Sequence, residues 1–192
     1  AVSLLVRVTE GWAELGRADI TDPGFDEQLA GLRERAAELA PDGFTTKLIL
    51  PADQILYTGV DAPGPDSAAR RARIAAALDG RTPYAVDDLV FDWSGEDQNL
   101  SVAVVARLTL DEAEDFAKSH GFNPVAFVAV PEPGQFTGEP FFGPTATAAT
   151  HLPAGEAPTR DRDPVRIVDA PLPKPRPTMP PAEAPGIDEQ PS

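Results

Sequence analysis

Cysteine is absent from this chain of 192 residues, so disulfides, thiolate nucleophiles and cysteine-bound metals are excluded together. Histidine is nearly absent: His120 and His151 are the only two, and no His-x-x-x-His spacing exists to build a zinc site. No Gly-x-Gly-x-x-Gly or Gly-Lys-Ser/Thr loop is present to cradle a phosphate, and no EF-hand loop to hold calcium. No Gly-x-Ser-x-Gly elbow presents a serine nucleophile. Long apolar runs are missing too. None approaches the roughly 18 residues that span a bilayer, and Ala1–Val6 lacks the basic start and apolar length of a secretion signal. Positive charge is scarce, with 16 Lys and Arg against 31 Asp and Glu and a net charge of −15. Such a surface repels phosphate backbones and anionic headgroups, so neither nucleic acid nor direct membrane insertion is expected.

Proline, by contrast, is abundant and unevenly placed. Fifteen of the 22 prolines lie in residues 131–192, and proline fixes φ and lacks the amide donor that helices and central strands need. The expected organisation is therefore a folded α/β domain over residues 1–130, a phenylalanine-containing segment over 131–145, and a disordered proline-rich linker or tail over 146–192.

Within the first 130 residues, strands and helices alternate. Residues 3–9 and 12–19 read as strands around Glu10-Gly11, a hairpin. Residues 26–40 read as a helix, with Leu29, Leu32, Ala36 and Leu39 on one face. Short strands follow at 47–50 and 55–60, then a helix through Leu78, then strands at 89–93 and 100–108. Thr109-Leu110-Asp111-Glu112 fits a capping box, predicting a helix that starts there and runs to His120, with Gly121 as its C-terminal stop. Residues 125–130 read as a last strand. This β-β-α rhythm, three times over, predicts mixed sheets covered by helices, with a split into lobes 1–45 and 46–130.

The polar residues form no catalytic constellation. His120 is expected to cap a helix C-terminus, where the dipole favours a cation. Asp87, Asp88 and Asp92 cluster around a strand, with Asp88 and Asp92 expected on one face, and solvated charge explains them better than a metal site does. Arg70, Arg71 and Arg73 make the basic face of a helix, either ion-paired and solvated or able to bind a small anion. Trp12 and Trp93 are expected to pack. Phe136, Phe141 and Phe142 fall within seven residues of turn-like sequence. They are expected either to fold back onto the domain or to serve as an anchor for a partner.

The middle of the chain carries a family resemblance. The run Leu50-Pro51-Ala52-Asp53-Gln54-Ile55-Leu56-Tyr57, then Ala76-Ala77-Leu78 through Pro83, then Val86-Asp87-Asp88-Leu89-Val90-Phe91-Asp92-Trp93 resembles the cytoplasmic actin-like domain of type II secretion system protein L. It is also similar to the type IV pilus assembly protein PilM. Val102-Ala103-Val104-Val105-Ala106-Arg107 and the exit His120-Gly121-Phe122 continue the likeness, which covers residues 45–130 and extends more weakly over 1–44. The resemblance implies a partial actin-like (ribonuclease H-like) fold and a scaffold role. It implies a protein partner, an assembly ATPase or an inner-membrane subunit, and a place in the bacterial cytoplasm or on the cytoplasmic part of a membrane-anchored protein. If the chain is a piece of such a protein, its tail would be the tether. Two departures matter: the Ser3–Trp12 segment has no Asp-x-Gly phosphate loop, and proline replaces the second lobe. No ATP-binding residue, cofactor or catalytic activity is carried over. The expectation is a non-catalytic protein-interaction domain; the alternative is a degenerate nucleotide or small-anion binder using the Arg70–Arg73 helix.

Overall fold

Period-two patterning around a tight turn makes the first pair of strands. In the computed structural model, which describes residues 1–175, β1 (Val2–Val8) and β2 (Gly11–Ala18) form an antiparallel hairpin from Val8↔Gly11 to Val2↔Ala18, with one irregularity between Leu4 and Leu5. Helix α1 (Phe25–Leu39) starts with Asp26 and Glu27 in its first turn, where the helix dipole favours negative charge. Its buried residues are Leu29 and Leu32. Contact with β2 is close: a Cβ at Gly16 would stand 2.5 Å from the Leu32 side chain.

Strand β3 (Thr46–Ile49) leads through a 3-10 turn at Ala52–Gln54 into β4 (Leu56–Asp61). Helix α2 (Ser67–Leu78) is capped by Asp66, whose carboxylate accepts from the Ala69 amide at 2.8 Å. Strands β5 (Leu89–Ser94) and β6 (Asn99–Ala106) follow, and β6 is the centre of an antiparallel sheet ordered β4-β6-β5. Leu100, Val102 and Val104 on one face of β6 pack under Ile74 and Leu78 of α2. Ala103 and Val105 on the other face pack with Leu50, Leu110 and Phe127. Burial on both faces explains why its second half, Val102–Ala106, is continuously apolar rather than alternating.

Helix α3 (Arg107–Ser119) corrects the capping-box expectation. It begins two residues before Thr109, with Ala106 at the N-cap position and no side-chain cap. Strand β6 therefore runs straight into the helix. The turn so formed puts Leu110, Glu114 and Ala117 inside, whereas Ala113 and Phe116 of the expected apolar face are half-buried. Its C-terminus is a Schellman turn: Gly121 has φ +75, and the Gly121 and Phe122 amides donate to the Lys118 and Ala117 carbonyls at 3.1 and 3.0 Å. Strand β7 (Pro124–Val128) then pairs in parallel with β3 and antiparallel with β8 (Phe141–Pro144), giving the sheet β3-β7-β8. The architecture is mixed α/β, with three sheets covered by helices.

The tail expected to be disordered from residue 146 is attached to the domain at several points between residues 146 and 168. A short helix α4 (Ala148–His151) buries Ala148 beside Val125 and Ala126. Val165 is buried, and the Arg166 carbonyl and Val168 amide bond to the Trp12 backbone at 2.9 and 2.8 Å. Each proline removes only its own amide donor, so burial of Val165 and the Arg166 and Val168 backbone bonds still hold the segment here. The remainder of the expected tail, 176–192, lies outside the described residues. Among the described residues no helix is long and apolar enough to cross a membrane.

Candidate interaction site

Strands β1 and β3 line one cavity yet do not pair: β1 pairs with β2 and β3 with β7. The slot between them has a volume of about 500 Å3. One wall is the β1 run from Val2 to Leu5, the other the β3 run from Thr45 to Leu50, and the floor is Ala113, Phe116 and Ala117 of α3 with Phe122. Val2, Leu4 and Leu48 join the apolar cluster built on Leu29, Leu32 and Phe122. The slot is thus apolar inside and bounded by two strand edges.

Its charged residues are already matched. Lys47 Nζ donates to Glu139 and, at 2.7 Å, to Asp161. The Arg7 guanidinium of β1 bonds the same Asp161 oxygen, so residue 161 bridges the two walls. Burial opposes ionisation of Asp161, but hydrogen bonds from Lys47 and Arg7, and then their charges, outweigh it and hold its pKa below the ordinary aspartate value.

Three buried carboxylates fasten the later segments. Glu114 accepts from the Ala146 and Thr147 amides and the Thr147 hydroxyl at 2.9, 3.0 and 3.0 Å. Asp92 accepts from the Phe141 amide at 3.0 Å and from Arg160 at 2.9 Å. Glu139 accepts from Lys47 and from the Asp161 amide at 2.7 Å. Asp92 therefore does not share an exposed face with Asp88, which sits exposed with Asp87 on the 3-10 turn Val86–Asp88. No group of three or more acidic or histidine side chains able to hold a metal occurs among the described residues.

The remaining sequence candidates are scattered. Phe136 and Phe142 are buried in the cluster with Leu50, Ile55 and Phe127, and Phe141 is half-buried beside Val125 and Ala126. Arg71 lies over the rings of Phe91 and Trp93, 5.1 and 5.0 Å from their centroids. Arg70 donates to the Glu96 carbonyl at 2.9 Å, while Arg73 is exposed on α2. His120 stands at the end of α3 with Nδ1 2.9 Å from the Phe116 carbonyl and its ring against Phe116. Trp12 is half-buried under the Arg7 guanidinium. None of the six interaction candidates lines the slot. The sequence marks β1 and β3 as strands, but a gap between two edges leaves no local pattern to read.

No protein-family model and no curated protein sequence matches the chain. Among solved structures the chain is similar to the cytoplasmic domain of EpsL, an inner membrane component of the type II secretion system of Vibrio cholerae. The identity is 17%, over 88% of this chain and 83% of that one, with a TM-score of 0.48.

Proposed function

We propose that the chain is a non-catalytic protein-interaction domain, a scaffold piece of a bacterial secretion- or pilus-type assembly, working on the cytoplasmic side. The observation that carries this reading is the slot between β1 and β3. Its lining is mostly apolar, and its two cations, Arg7 and Lys47, are already bound to Asp161. Such a site suits the apolar side chains of a polypeptide better than a charged metabolite. The partner class implied by the motif resemblance is an assembly ATPase or an inner-membrane subunit.

The rival, an anion site on α2, has less to work with. Arg71 is spent on two aromatic rings and Arg70 on a backbone carbonyl, which leaves Arg73 to act with little help. Capture experiments with the full chain and two variants separate the readings. Ile49, 40% exposed at the slot, is changed to Glu in one, and Arg73 to Glu in the other. The proposal expects capture of a discrete protein by wild type and by Arg73→Glu but not by Ile49→Glu. Thermal stabilisation of wild type by ATP and magnesium, lost in Arg73→Glu, would favour the rival instead.

A further inference from the structure

Backbone direction on the two walls says what fills the slot. Trp12 gives its N–H to the Arg166 carbonyl and its C=O to the Val168 amide, so its backbone groups face away from β1. In an antiparallel ladder, opposite residues of a pair turn the same way relative to their partner strand. Arg7, which lies opposite Trp12, therefore turns its own N–H and C=O away from β2, and so does Leu5 two residues earlier. On the other wall, the Thr46 and Leu50 amides are given to Asn123 and Val128 at 3.1 and 2.9 Å, toward β7. Alternation then turns Lys47 and Ile49 toward the slot.

Resting on the reading of the slot as a protein-binding site, we infer that its occupant is an extended strand of the partner polypeptide, inserted between β1 and β3 and bonded to both. Two facing rows of backbone donors and acceptors above an apolar floor call for a ligand with its own row on each edge, and an extended peptide has that. A helix would leave both edges unpaired, and a compact small molecule could reach only part of one. The inserted strand joins the β1-β2 hairpin to the β3-β7-β8 sheet. Because side chains alternate along it, one face meets Ala113, Phe116 and Ala117, so the partner segment carries apolar residues at every second position. The Asp161 bridge between Arg7 and Lys47 closes one end and keeps the inserted segment short.

A strand supplied in cis tests this geometry without knowing the partner. The full chain is extended ahead of Ala1 by an Asn-Gly turn and a strand of about seven alternating Thr and Val residues, which places it along the open edge of β1. A matched version carries Pro at every second position, removing the amide donors. The expected result is a higher melting temperature and exchange slowed by about tenfold or more at the amides of Leu5, Arg7, Lys47 and Ile49, with neither effect from the Pro version. Unchanged exchange at these four amides, or equal effects from both extensions, would overturn strand insertion. If that happens while Ile49→Glu still abolishes capture, the protein-binding reading stands and only the mode of binding falls. If Ile49→Glu leaves capture intact while the tethered strand docks, the slot is a strand acceptor but not the site that captures the partner.

Discussion

Lys47 and Glu139, ninety-two residues apart, form a two-pronged ion pair inside the protein. The ammonium lies 2.9 and 2.8 Å from the two carboxylate oxygens, with the side chains 16% and 0% exposed. Removing one member leaves the other charge buried, at a cost of about 3–5 kcal/mol. Lys47→Met should lose that much in urea unfolding. Adding Glu139→Leu should recover part of it, with a coupling of about 0.5–3 kcal/mol. Recovery is partial because the Asp161 amide also relies on Glu139. A loss under 1 kcal/mol in Lys47→Met would contradict the pair's structural weight.

Acid should release the segment around Asp161 before the core unfolds. Its folded pKa is depressed, so ionised Asp161 contributes stability above its unfolded value of about 3.9. That contribution is lost as pH falls through the lower folded value. Amide exchange at Val168, bonded to Trp12, is the reporter. Protection of this amide against exchange should fall in this window, and Asp161→Asn should remove that pH dependence by lowering protection throughout. Identical profiles in wild type and Asp161→Asn would assign the transition to another group.

Tyr57 buries a hydroxyl that has no hydrogen-bond partner among the described residues, and burial raises its pKa. An unpartnered buried hydroxyl costs roughly 1–3 kcal/mol. Tyr57→Phe, which keeps the ring against the core, should therefore leave stability unchanged or raise it by about 1 kcal/mol. A marked loss on calorimetry would mean that the hydroxyl is satisfied by a bound water.

Phe142 and Phe141 are neighbours with different burdens. Phe142 is 6% exposed in the main core cluster, whereas Phe141 is half-buried. Phe142→Ala should cost about 3–5 kcal/mol, lowering the melting midpoint by about 2–4 °C per kcal/mol. Phe141→Ala should cost clearly less. Equal losses would show that β8 is held by its ladder rather than by its side chains.

Local patterning made much of the fold legible. The Glu10-Gly11 hairpin, the Leu29/Leu32 face of α1, the Gly121 stop after α3 and the Val-rich β6 all depend on residues within a few positions of one another. Two misreadings share one cause. The capping box at Thr109 is locally sound, but β6 carries its momentum straight into α3 and buries Leu110 and Glu114 instead. Asp92 reads as solvated charge because its partners lie 49 and 68 residues away, and the partners of Glu114 and Glu139 are as hidden, 22 to 92 residues away. The proline-rich segment was expected to be free because prolines cannot join ladders, yet Val165 and the Arg166–Val168 backbone attach it. Nothing in the strand patterns of β1 or β3 reveals that, among the described residues, the two strands do not pair with each other.

Photo-crosslinking in living cells tests the central claim most directly. A photoreactive residue replaces Ile49 at the slot in one version of the full chain, and Arg73 on α2 in another. The account predicts a discrete protein adduct from position 49 and none from position 73. An adduct confined to position 73, or none at 49, would contradict it.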